Sequence, residues 1–332
     1  MLTACEDTLF SRTPVARKSA NTPLLVVGLP RSGSSFLSEV ISQFDGWYVF
    51  DDLYLHRRAL EIGATGVLSE AQMDRLLFFL GWQIRARLRF GSYAIPNVAE
   101  DEIEAMNAAL KASLLERGVT WAELQEEWMY RLARRAGCEK WGYKMPQAFR
   151  HLDALFEHYP EMRVIFLLRA PKDVLASYKH MRPDSQDGNA AQYHPIAHAV
   201  YWRLAARAYF DAKERFGKRI MLLKFEDLTA DPTAAATKIA AFLDTPAPGE
   251  IRLPPKPNTS YRKGGKRRGL NGLELFFLER IAGDMRKRLG FERGQRRLAP
   301  GDIVDLAKTT LVFTGFRARK FLSARLERFR TR

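Results

Sequence analysis

The stretch Leu24–Gly28 (LLVVG), running straight into Leu29–Ser35 (LPRSGSS) and then Phe36–Gln43 (FLSEVISQ), decides the fold. An unbroken apolar run of this length reads as a strand buried on both faces. The segment after it reads as a tight loop, and the apolar residues of Phe36–Gln43 recur at helical spacing. Strand, loop and helix in this order give the frame GxxxxGK[ST] of a phosphate-binding loop from Gly28 to Ser35, with Ser34 standing where the lysine belongs. Glycines let the backbone curl, so that several N–H groups converge at a helix mouth whose dipole favours an anion. In ATPases and kinases the missing lysine neutralises the β- and γ-phosphates. Here the cation comes earlier, at Arg31, whose planar fork of donors suits phosphate or sulfate oxygens. The plainer reading is a serine-rich turn capping an ordinary helix.

Outward from this stretch the chain alternates. Trp47–Phe50 is a candidate second strand ending in Asp51 and Asp52, and residues 69–137 are patterned as helix, broken near Gly91–Pro96. Gly142–Lys144 reads as a brief strand. Arg163–Leu168 (RVIFLL) is the clearest buried strand, and Pro171 after it suits the first position of a helix. Ala190–Phe216 reads as a long helix, Ile220–Phe225 as a strand, Pro232–Leu243 as a helix, and Pro246–Asn271, rich in Pro, Gly and basic residues, as a loop. Leu273–Leu289 returns to helix. Short apolar strands alternating with helices predict an α/β fold of three layers, a mainly parallel sheet flanked by helices like that of P-loop NTPases. The expected division is a flexible leader over 1–22, one domain over 23–300 and a basic amphipathic helix over 301–332.

Composition narrows the class of partner. The 332 residues carry 53 Lys and Arg against 38 Asp and Glu, a net +15 that attracts polyanions. Cys5 and Cys138 lie far apart and the six histidines form no HExxH, which argues against a disulfide framework or a zinc site. The first twenty residues carry Glu6, Asp7 and Arg12 with no sustained apolar run, and no segment reaches the roughly 20 apolar residues of a membrane span. A cytoplasmic protein is expected. Residues 303–332 would, as a helix, set Leu and Phe against Lys and Arg, either to dock on the parent domain or to touch an anionic lipid surface from outside.

A second anion site is legible at the end of RVIFLL, where Arg169 is followed by Ala-Pro-Lys-Asp-Val-Leu-Ala-Ser177. Ligands of open α/β sheets gather outside the carboxyl ends of strands. A cation there, with a hydroxyl on the following helix, makes a plausible clamp, although a strand, an N1 proline and an incidental arginine would look the same.

Taken together these segments resemble the PAPS-dependent sulfotransferases, in motif style their tyrosylprotein and carbohydrate branch. Their 5′-phosphosulfate loop typically reads PRSGTT or PKSGTT, matched here by Pro30, Arg31, Ser32, Gly33, Ser34 and Ser35, with serines keeping the hydroxyls of both threonines. Arg169, Pro171, Asp173 and Ser177 match the family's RxPxDxxxS, which implies that Arg169 and Ser177 hold the 3′-phosphate and that Asp173 is structural. Leu223–Pro232 resembles the family's (V/L)xYEDLxxDP, with Phe225 in place of tyrosine near the nucleotide. Trp141–Pro146 resembles GxKxP, implying that Lys144 stabilises charge on the leaving phosphate and the moving sulfuryl group. The segment Asn258–Gly264 resembles the nucleotide cover, assigning Ser260 to the bridging oxygen and Arg262 and Lys263 to the 3′-phosphate, without the GDW that often follows RKG.

The resemblance implies in-line transfer of a sulfuryl group from PAPS, leaving PAP, to a hydroxyl or amine of an acceptor it does not identify. It needs a base, and in the tyrosylprotein branch that base is a carboxylate about twenty residues past the loop arginine. Asp52 falls there with Asp51 beside it, shorter than the usual glutamate, and His56 is the rival. A nucleotide kinase or NTPase would need GK[ST]. A noncatalytic polyanion-binding protein would show steep salt dependence, but no aromatic-interleaved motif points to nucleic acid as a partner.

Overall fold

The computed structural model describes residues 23–90, 98–181, 190–254 and 269–330, without the side chains of 89–90 and 324–330. The expected leader, and Ser260, Arg262 and Lys263 of the nucleotide cover, lie outside the described residues.

The opening unit is strand β1 (Leu24–Gly28), a seven-residue segment from Leu29 to Ser35 that overlaps the start of helix α1 (Ser34–Ile41), and then β2 (Trp47–Phe50). Helices α2 (Leu55–Glu61), α3 (Glu70–Phe90), α4 (Glu102–Leu114) and α5 (Trp121–Arg135) follow before β3 (Lys140–Lys144). A short helix α6 (Leu152–His158) leads to β4 (Arg163–Leu168), α7 (Pro171–Lys179), α8 (Pro195–Phe216) and β5 (Ile220–Lys224). The chain then continues through α9 (Phe225–Ala230), α10 (Pro232–Leu243), α11 (Gly272–Arg288) and α12 (Pro300–Arg330).

All five strands pair in parallel, in the order β2-β3-β1-β4-β5. Alternation within the central strands shows both faces covered. Leu25 and Val27 of β1, with Val164, Phe166 and Leu168 of β4, enter the large core beneath α3–α8 and α11. Leu24, Val26, Ile165 and Leu167 enter the smaller core beneath α1 and α10. This is the three-layer arrangement the apolar runs predict, because a parallel strand between two helical layers has no solvent face to keep polar.

Local chemistry fixes several boundaries. The long helix expected from Ala190 starts only at Pro195, because His194 caps it and a proline fits the first turn but not a helix interior. Phe225, expected to end β5, instead begins α9; β4 pairs with β5 only as far as Leu168↔Lys224, so the chain is released into helix one residue sooner. Thr120 and Glu123 form a reciprocal capping box that starts α5. Gly28 pairs with Leu167 so closely that an added Cβ would lie 2.2 Å from the Leu167 carbonyl oxygen.

Helix α12 half-buries Leu306, Thr310 and Phe313 toward the domain, where the His194 ring lies 5.2 Å from that of Phe313. Its other side leaves Ile303, Val304, Leu311, Val312, Phe321 and Leu322 exposed. Among the described residues no helix is long and apolar enough to cross a membrane.

Trp202 of α8 ties the helical layer to the sheet edge: it is fully buried and its indole N–H donates to the Arg169 carbonyl at 3.0 Å. Trp202→Phe is expected to cost about 1 kcal/mol for the lost hydrogen bond, and Trp202→Ala about 3–5 kcal/mol for the cavity. Both are read from the urea midpoint at unchanged slope. An alanine variant as stable as the parent would contradict this packing.

Candidate active site

Parallel strands put all their carboxyl ends on one edge of the sheet, and the site is built along it. In spatial order the edge presents Asp51 and Asp52 after β2, Lys144 at the end of β3, the loop Leu29–Ser35 after β1, Arg169 after β4 and Phe225 after β5. The order of connection reverses at β1, whose neighbours β3 and β4 both come later in the chain; crevices at such switch points take ligands.

The loop is wound tightly. Gly33 caps α1 in a left-handed conformation (φ 93°), and a Cβ there would lie 2.4 Å from the Phe225 ring, so only glycine lets the loop close on that ring. Arg31 also has a positive φ, 73°. Ser34 begins α1, so its N–H and those after it in the first turn have no intrahelical acceptor. The Ser32 hydroxyl oxygen is fully buried without a hydrogen-bond partner. Pro30 is half-buried at the loop's shoulder.

The two expected anion clamps meet. Arg31 Nε donates to Ser177 Oγ of α7 at 3.1 Å across 146 residues of sequence, and Arg169 Nη1 donates to the Arg31 carbonyl at 3.3 Å. The Arg169 guanidinium lies 5.0 Å above the Phe225 ring centroid, a cation–π contact, and Phe225 packs edge-on to Phe36 of α1 at 5.7 Å. Glu226 accepts from the Ala170 N–H at 2.9 Å, and Asp173 stands in the first turn of α7, the positions of residues that shape the site from behind.

On the other side of the loop four charges converge. Lys144 Nζ lies 2.9 Å from Asp51 and 2.6 Å from Asp52, and donates to Ser35 Oγ at 2.9 Å. Arg87, from α3, lies 3.2 Å from Asp51 and 2.8 Å from Asp52. Two cations thus balance two carboxylates in a largely buried cluster. Desolvation would raise the Asp52 pKa, but Lys144 and Arg87 outweigh it and hold the carboxyl below its ordinary range. Burial likewise pulls Lys144 down, while Asp51 and Asp52 more than compensate and keep it protonated. The Tyr54 hydroxyl donates to Asp52 Oδ1 at 3.0 Å.

The pair of acids is thereby resolved by position. Asp51 is 6% exposed and faces the cluster; Asp52 is 22% exposed, adopts a left-handed backbone (φ 60°) and lines a groove of about 510 Å³ between α2 and α3. Asp tolerates this conformation better than most residues. His56 does not join them. Its ring is buried 6.3 Å from Trp121 and 5.5 Å from His151, it is absent from the groove lining, and burial with His151 lowers its pKa to about 3. The sequence places His56 and Asp52 four positions apart, but α2 turns the histidine ring into the core.

Arg87, Tyr54 and Gln83 are the site residues that the sequence does not announce. An arginine within α3, among 53 basic residues, carries no motif, and nothing in its spacing links it to Asp52.

A sequence model described as the sulfotransferase family matches residues 23–249 of this chain. No curated protein matches it by sequence. Solved structures share its fold, among them two sulfotransferase domains. The sulfotransferase domain of the Synechococcus PCC 7002 olefin synthase is 19% identical, with a TM-score of 0.51, over 90% of this chain and 98% of that one. The sulfotransferase domain of the curacin biosynthetic pathway is 15% identical, with a TM-score of 0.53, over 84% and 100%. Because the family match spans residues 23–249, well over half of its length, the chain belongs to the sulfotransferase family, enzymes that move sulfuryl groups and generally draw them from PAPS.

Proposed function

We propose that this enzyme takes its sulfuryl group from PAPS, held by Arg31, Ser32–Ser35, Arg169 and Ser177, and passes it to an acceptor hydroxyl that Asp52 relieves of its proton. The observation that supports the reading is the bond between Arg31 and Ser177, because it sets side by side the two segments to which we assign the anion. The pocket suits an anion with more than one charged group: two guanidinium ions, helix-mouth N–H groups of α1 and serine hydroxyls converge there. The buried, unpartnered Ser32 hydroxyl and the glycine-only closure at Gly33 fit a loop shaped around a ligand.

The donor supplies an activated S–O bond. The acceptor oxygen forms a new S–O bond, the bond to the phosphate of PAP breaks with its electron pair going to PAP, and the acceptor proton passes to Asp52. The protein's work is positioning and charge stabilisation. Lys144 links the two halves, since one ammonium touches both the carboxylate pair and Ser35 of the donor loop. Positive charge there favours negative charge developing between donor and acceptor. Arg87 and Tyr54 orient Asp52 toward the groove. Three donors on one carboxylate lower its basicity, so proton transfer follows rather than leads formation of the new S–O bond. Phe225 supplies an aromatic face and holds Arg169 by its ring.

Calorimetric titration with PAP, ADP and ATP tests the donor assignment: PAP is expected to bind tightest, and Arg31→Ala and Arg169→Ala each to weaken it by at least tenfold without loss of circular-dichroism signal. Equal affinity for ATP would return the fold to nucleotide-kinase chemistry.

Turnover is read as PAP released from PAPS in the presence of an alcohol. Asp52→Asn is expected to lower kcat by about 10²–10⁴-fold, the usual worth of a general base, with PAP affinity within a factor of two, whereas His56→Gln retains turnover. Normal turnover by the asparagine variant would remove Asp52 from the role.

The pH dependence has a definite sign. Because the Asp52 pKa lies below its ordinary value in the folded protein, the carboxylate contributes stability above the unfolded pKa and loses it only as pH falls through the depressed one. kcat/KM on the acid side is therefore expected to stay level down to about pH 5, since ordinary aspartate titrates near 4. An inflection near pH 6.5 that Asp52→Asn leaves in place would instead indicate a histidine base.

A further inference from the structure

The groove that Asp52 lines has two unlike walls, and their chemistry specifies the acceptor beyond the presence of a hydroxyl. One wall is apolar. On α3, Phe79 and Trp82 stack at 6.1 Å with 23° between their planes, and Trp82 remains 56% exposed despite its size. An aromatic face open to solvent beside a site is a surface waiting for an apolar body. The other wall, on α2, is cationic. Arg57 and Arg58 share one carboxylate, Glu61, at 3.1 and 3.0 Å. Two positive charges against one negative leave this wall at +1, while the cluster behind the groove, Asp51 and Asp52 against Lys144 and Arg87, sums to zero. The Arg57 and Arg58 side chains are 69% and 41% exposed, so their pairs with Glu61 are surface pairs of little net strength and exchange readily for another carboxylate.

The floor supplies an independent sign of a ligand. Gln83 is 5% exposed and lines the groove; its amide N–H donates to the Asp52 carbonyl, which leaves its Oε1 buried and without a partner. An orphaned acceptor at this depth is costly unless something donates to it. An acceptor hydroxyl arriving at Asp52 has a single proton, so satisfying Gln83 takes a second donor, such as a hydroxyl on the carbon next to the reacting one, together with a turn of the buried amide toward the groove. A groove of about 510 Å³ has the size of a small-molecule site, which typically spans roughly 300–1,000 Å³.

We infer that the acceptor is an anionic amphiphile: a hydroxylated head that meets Asp52 and Gln83, an apolar body along Phe79 and Trp82, and a carboxylate or comparable anion on Arg57 and Arg58. This rests on the reading of Asp52 as the base beside a PAPS pocket. Neither guanidinium belongs to the donor pocket, so acceptor selection and donor binding are separable.

The test uses the full chain saturated with PAP and three chains of equal length that share one 1,2-diol head and differ only at the far end: 11,12-dihydroxydodecanoate, dodecane-1,2,12-triol and 12-aminododecane-1,2-diol. By calorimetry the carboxylate is expected to bind at least tenfold tighter than the triol, with the amine weakest. The double variant Arg57→Gln/Arg58→Gln should bring the carboxylate down to the triol's affinity and leave the triol unchanged. Trp82→Ala should weaken all three alike, while Gln83→Leu should erase the advantage of the carboxylate diol over 12-hydroxydodecanoate. PAP affinity, measured for each variant, reports whether the fold and donor pocket survive. If the triol or amine binds as tightly as the carboxylate, if the arginine variant keeps the original order, or if PAP-loaded protein binds none of them, the inference is wrong. Failure of the parent protein to bind PAP at all would overturn the donor assignment instead.

Discussion

Every functional contact in this protein depends on β1 lying between β3 and β4, parallel to both. The register Gly28↔Leu167 aligns the ends of β1 and β4, so the loop after one and the arginine after the other leave the sheet side by side. Parallel pairing makes this obligatory, because strands that point the same way end on the same edge. Arg31 and Ser177 can therefore bond across 146 residues without either segment departing from its local geometry. On the opposite flank β3 delivers Lys144 and β2 delivers Asp51 and Asp52. The edge becomes a row with anion-binding groups at one end and carboxylates at the other, and Lys144 stands where they adjoin.

Lys144 is 3% exposed, and an ammonium ion so deep is tolerable only when paired. Two carboxylates and a serine hydroxyl provide that pairing, and Arg87 restores neutrality. The arrangement carries a chemical tension. The charges that permit Asp52 to be buried and ionised also make it a poorer base. Such a carboxylate suits a reaction in which the acceptor oxygen becomes acidic only as it bonds to sulfur, which is the expectation for transfer of an electron-poor sulfuryl group. The cluster is neutralised from within, and Trp82 and the Arg57–Arg58 pair on the groove's walls stand outside that balance.

Much of the fold was legible in residue pattern alone. LLVVG and RVIFLL are short and too continuously apolar for exposed strands, and the structure buries them in both cores. Arg31, Gly33, Ser35, Arg169 and Ser177, which we propose to hold the donor, were legible because each belongs to a short local motif. Phe225 was expected beside the nucleotide at the end of a strand; it is instead the first residue of a helix, since pattern cannot see where a neighbouring strand stops pairing. Asp52 and His56 were both legible as candidate bases but not separable, because the direction in which α2 turns a side chain depends on what it packs against.

Sequence by itself determined the parallel three-layer sheet, the phosphate-loop frame and the family, because these follow from apolar periodicity, glycine placement and short-range spacing. Tertiary structure alone decided that Arg87 neutralises the carboxylates, that Asp52 rather than Asp51 reaches the groove, and that Gln83 of the groove lining keeps a buried, unpartnered oxygen. Those residues lie on elements joined only through packing: Arg87 of α3 meets Asp52 at the end of β2 from 35 positions further along the chain, at a distance and angle no local motif encodes. Charge balance in a buried cluster is a property of space, and it exists only once the chain has closed around it.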